Sequence, residues 1–138
     1  MHNVCYGGFG FSKAAMAEYR RRCPDVTEGL SGFRIARHDP VMVAIVEEMG
    51  AAASDRYASV QLERIPAQYV DHYEIAEYDG MESVVLCKER FKLDAVRAIL
   101  GDRVSSKAEK LARIVAVVHN DDGVGDEITC HGWVSHSD

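Results

Sequence analysis

The stretch His72–Glu89, HYEIAEYDGMESVVLCKE, carries the strongest strand pattern in the chain. Two runs suited to strands flank Asp79-Gly80, a dipeptide that tolerates the positive φ angles of a two-residue hairpin turn. Asp71, Glu74, Glu77 and Asp79 alternate with apolar residues, so they read as one wet face of a sheet rather than an acid/base pair. Upstream, YASVQLERI (57–65) reads as a strand with Val60, Leu62 and Ile65 facing inward, ended by Pro66. A hairpin with strands before it needs a sheet, and the segments on either side must supply its cover.

Those segments are helical in pattern. In RHDPVMVAIVEEMG (37–50), Asp39 suits the N-cap, Pro40 the first helical position and Gly50 the exit. Val41, Met42, Ile45, Val46 and Met49 form an apolar face, and Glu47 and Glu48 point to water. Nearer the N-terminus, HNVCY (2–6) reads as a short strand and Ser12 as the cap of SKAAMAEYRRRC (12–23), with Phe11, Ala15, Tyr19 and Cys23 as its buried stripe. Arg20, Arg21 and Arg22 sit in the last turn, where the helix dipole favours cations, and Pro24 stops the helix. Beyond the hairpin, FKLDAVRAILGD (91–102) is expected to be helical, with Phe91, Ala95, Ile99 and Leu100 on one side. In SSKAEKLARIVAVVHN (105–120), Ser106 and Glu109 have capping-box spacing, and Ala108, Leu111, Val115 and Val118 make a stripe. The run Ile114–Val118 also fits a strand. The expected fold is α+β: one mixed, mainly antiparallel sheet of about four strands with about four packed helices. It forms a single domain over 1–138, in which 121–138 is a tail, either holding a short strand near Trp133 or loosely ordered.

The 138 residues suffice for one core without staples. The four cysteines, Cys5, Cys23, Cys87 and Cys130, are scattered and read as free thiols of a reducing compartment. No apolar run approaches a membrane span, and the N-terminus lacks a signal-peptide pattern, so the expected location is the cytosol. A net charge of −6 argues against binding bulk nucleic acid, although a local pocket can still be positive.

The segment Cys5–Ser12, CYGGFGFS, places three glycines and three aromatics before a helix start. A strand, a glycine-rich turn and a helix N-terminus can gather backbone N–H groups around an anion. On this reading Gly8 and Gly10 offer bare backbone, Ser12 completes the cap, and Tyr6 or Phe9 lies against a ring. The alternative is a tight turn with aromatics filling the core. The segment is neither a P-loop nor G-x-G-x-x-G at dinucleotide spacing. Arg34 and Arg37 precede the second helix, where dipole logic favours acids, so Arg37 is a candidate phosphate partner; the alternative is a solvated loop. Arg113, on the last helix, is a further candidate for ligand or partner contact. His119, Cys130, His131 and His136 lack paired zinc spacing, and the acidic NDDGVGDE lacks calcium-loop spacing, so no metal or cofactor is expected. No catalytic residue is assigned: Ser12 is not in G-x-S-x-G, and His72 has no nucleophile indicated near it.

The combination VCYGGFGFS, RHDPVMVAIVEEMG and IPAQYVDHYEIAEYDGMESV resembles a family of small proteins encoded largely by bacteriophages and other viruses. The shared pattern is a strand into Cys-Tyr-Gly-Gly-Phe-Gly-x-Ser, an Arg-x-Asp-Pro helix, then Ile-Pro and Glu-Tyr-Asp-Gly-x-Glu, over residues 3–86. The resemblance implies a counter-defence binder, nearest in type to Thoeris anti-defence sponges that sequester cyclic ADP-ribose-like signals. The expected partner is a small phosphate-containing ligand, held without catalysis by a homo-oligomer. The alternatives are a phosphoesterase-like enzyme with dispersed residues and a protein–protein inhibitor module.

Overall fold

The computed structural model describes residues 1–26 and 29–119. Its regular elements are β1 (His2–Asn3), α1 (Lys13–Arg22), α2 (Pro40–Met49), β2 (Val60–Gln61), β3 (Tyr73–Tyr78), β4 (Met81–Leu86), α3 (Lys88–Gly101) and α4 (Lys107–His119), with 3₁₀ turns at Gly32–Arg34, Gly50–Ala53 and Ala67–Tyr69. The class is α+β with four helices, as expected. The single four-stranded sheet is not: β1 pairs only with β2, and β3 only with β4, both antiparallel.

The reason lies in two side chains. The Asn3 amide, which would join β1 to β4 in one ladder, donates instead to the Glu82 carboxylate at 2.8 Å. The Asn3 side-chain amide donates to the Gly80 carbonyl at 2.7 Å. Side chains therefore occupy the groups that a continuous ladder would use, and β1 lies beside β4 without pairing to it.

The hairpin forms as its turn chemistry requires. Asp79 has φ +51° and Gly80 φ +85°, the two positive angles that let a two-residue turn match the right-handed twist of its strands. Glu77 also accepts a hydrogen bond from the Gly80 amide.

Asp39 caps α2, accepting from the Val41 and Met42 amides at 3.0 and 2.9 Å, and its other oxygen accepts from the Tyr19 hydroxyl at 3.1 Å. One carboxylate thus starts α2 and ties it to α1. Burial of the phenol, followed by the nearby Asp39 charge, pushes the Tyr19 pKa up to about 12. On α1, Ala15, Met16 and Tyr19 are buried; on α2, Met42, Val43, Ile45 and Val46 are, while Val41 and Met49 are half-buried. With Phe9, Phe11, Val60 and Ile65 they form the core. Ile114–Val118 is helical rather than a strand, and the Ser106–Glu109 capping box forms in both directions. Leu100, expected on the buried side of α3, is exposed, and α4 has no buried residue. The tail read at 121–138 lies outside the described residues.

Candidate functional site

The glycine segment folds as a loop fitted against two neighbours. A Cβ at Gly7 would overlap the Tyr57 carbonyl oxygen, and one at Gly10 would overlap the Asp55 carboxylate. From the other side comes the hairpin turn: a Cβ at Gly80 would lie 2.6 Å from the Tyr6 carbonyl oxygen and 2.7 Å from the Gly8 nitrogen. Gly8 itself has φ +89° with open space around it, so glycine is needed there for its backbone angle. Ser12 caps α1 as expected, accepting from the Ala15 amide at 3.1 Å, and its hydroxyl donates to the Ala52 carbonyl. Its own amide donates to the Ala53 carbonyl at 2.8 Å.

Under this loop lies a buried polar knot. Asn3 is 0% exposed. Its side-chain amide donates to the Cys5 and Gly80 carbonyls, and its oxygen accepts from the Ser59 amide and the Cys5 thiol. Arg37 does approach the glycine segment: its guanidinium carbon stands 3.4 Å from the centre of the Phe9 ring. Both ends of its fork, however, donate to Glu82, each at 2.7 Å, and the Glu82 side chain is only 7% exposed. The backbone of Arg37 accepts from the N-terminal ammonium at 2.8 Å. The Arg37 charge is thus matched by a buried carboxylate, and Phe9 is a core residue beneath it.

The remaining candidates separate. Arg113 lies at the α3–α4 connection, 3.1 Å from Asp102. The Ser105 hydroxyl, then the Val104 amide and Arg113, hold the Asp102 carboxyl well below the ordinary range. Tyr6 is 65% exposed and faces the hairpin. With Tyr78, Met81, Glu77 and Ser83 it lines a hollow of about 220 Å³. Tyr78 is 81% exposed. The sequence reading named Tyr6 as a candidate but took Tyr78 and Met81, beside it here, only as hairpin residues. It also missed Asn3 and Glu82; the Glu that closes the Glu-Tyr-Asp-Gly-x-Glu motif was the available signal for the latter.

Two other places bring polar side chains together. A hollow of about 440 Å³ lies between the end of α2 and β2, but no Lys, Arg or His lines it, and two of its polar side chains serve the backbone. Ser54 Oγ accepts from the Val60 amide, and Asp55 from the Tyr57 amide. At the base of the hairpin, His72 Nε2 lies 3.1 Å from Asp94, whose carboxyl is held below its usual range chiefly by that contact, while Nδ1 is buried without a partner. The Cys87 amide donates to the His72 carbonyl, but burial, then Glu74, pushes the Cys87 thiol up, away from the reactive thiolate. Among the described residues, no group of three or more His, Cys, Asp or Glu is placed to hold a metal, and no helix is long and apolar enough to cross a membrane.

No family model, curated protein or solved structure matches the chain.

Proposed function

We propose that this protein is a non-catalytic binder that receives the planar ring of a small ligand between Tyr6 and the Tyr78–Met81 end of the hairpin. The observation that carries this reading is the pair of exposed tyrosines and Met81 around one hollow, mounted on a turn that the Asn3–Glu82–Arg37 knot fixes in place. Exposed rings on a rigid support are the usual platform for a nucleobase. At about 220 Å³ the hollow is smaller than pockets that enclose whole ligands, and it suits one ring system. Glu77 on the lining turns phosphates outward to solvent, while Glu82 is already closed on Arg37 and the Asn3 amide.

The resemblance to phage-encoded proteins supplies the setting: sequestration, in the host cytosol, of a cyclic nucleotide or ADP-ribose-type signal. The test incubates the protein with a panel of cyclic nucleotides and ADP-ribose isomers, measures depletion, then heats the complex and analyses what is released. Intact ligand is expected. Tyr6→Ala and Tyr78→Ala should each weaken capture by about 1–3 kcal/mol, the scale of one base-stacking contact, with melting temperatures unchanged. Altered ligand would mean an enzyme. The absence of depletion would favour the second reading, a protein–protein inhibitor, which the exposed strip Tyr78, Met81 and Val85 also supports.

A further inference from the structure

The α3–α4 hairpin has an apolar surface that no described residue covers. On α4, Ala108, Leu111, Val115 and Val118 recur at intervals of three and four, the spacing of a coiled-coil seam, and Leu93, Val96 and Leu100 do the same on α3. In ordinary helices such stripes face the core. Here Leu111 is 63% exposed, Leu100 60% and Leu93 50%. The stripes meet where Leu93, Val96 and Val118, with Glu89 and Lys92 on the rim, line a groove of about 310 Å³.

We propose that this groove is the docking site for residues 120–138 of the same chain. Position, charge and composition agree on that occupant. The chain leaves α4 at His119, one residue past Val118, so the segment starts at the mouth of the groove. Residues 120–138 number nineteen, and at about 3.3 Å per extended residue they can run back along the whole of α4, which is about 20 Å long. From Lys88 to His119 the helices carry eight Lys and Arg against four Asp and Glu. The segment carries five Asp and Glu and no Lys or Arg, so the two are electrostatic complements. It also holds Ile128, Trp133 and Val134, side chains able to fill an apolar groove. A second copy fits less well, because it would bring one net-positive helical surface against another.

Trp133 is the protein's single tryptophan, so its fluorescence reads the docking in the full chain. The expected result is blue-shifted emission and protection from acrylamide, independent of protein concentration. Leu93→Glu and Val118→Glu, at half-exposed positions, should leave the melting temperature within a few degrees and raise the quenching constant several-fold. Asp126→Lys with Glu127→Lys should do the same without touching a residue of the groove, which guards against a misfolded groove variant. Three results overturn the proposal: water-exposed Trp133 in the native chain, protection that none of these variants alters, or protection that disappears on dilution as the mass falls from dimer to monomer.

Discussion

Arg37 shows how one residue's surroundings change its meaning. Before helix α2 it looked like a charge available to a ligand; in the fold its fork closes on Glu82, and its face covers Phe9. Removing one member of a largely buried pair strands the other. Arg37→Ala is therefore expected to destabilise the fold by about 2–4 kcal/mol rather than leave it intact, the scale of a broken buried ion pair; urea unfolding checks this, and an unchanged midpoint would refute it. His2 supplies a pH signature. Its side chain is 12% exposed, and burial, opposed by Glu63, lowers its pKa below the ordinary 6.5. Folding thus favours neutral imidazole, and the unfolded chain binds the proton more readily. The stability this confers is complete above pH 6.5 and declines as pH falls from 6.5 through the lowered folded value. His2→Gln should flatten the stability–pH curve in that window. The separate acid loss from Glu18, held at about 2 first by Arg21 and then by Arg22, belongs lower, below the ordinary 4.5.

The elements divide into those started by their own residues and those held by a neighbour. The α2 helix begins with Asp39 and Pro40 and ends at Gly50 as written in the chain, because caps and turns are local chemistry. The same holds for the Asp79-Gly80 turn and for the Ser106–Glu109 box. Asp39 also has a tertiary partner. Asp39→Ala should cost about 1–2 kcal/mol as a lost cap, and more than Tyr19→Phe, which removes only the tie to α1; paired thermal melts compare them. β1 and β2 are another case. Two residues long each, they fell short of the strands read at HNVCY and YASVQLERI: the Ser59 amide, next in the ladder, donates to the Asn3 side chain, while the Asn3 amide goes to Glu82. That bond spans 79 positions in sequence, and no local pattern encodes it.

On the scale of the molecule, burial is uneven. The α1–α2 layer encloses Ala15, Met42, Val43 and Ile45, which are almost wholly buried, whereas α4 has no buried residue. Hydrogen exchange should accordingly find the amides of α4 opening at lower free energy than those of α2; equal protection would contradict it. The sequence by itself determined the class, helices α1 to α3, most of the core stripes of α1 and α2, and the hairpin with its turn. Each of these follows from periodicity or from a cap residue acting within a few positions. Tertiary structure alone decided that there are two small sheets rather than one. It placed Arg37 against Glu82, made Gly7 and Gly80 close-contact positions, and turned Tyr6 and Tyr78 toward one hollow. These are pairings between residues tens of positions apart, and a residue's type states only what bonds it can make; the fold decides which partner is within reach.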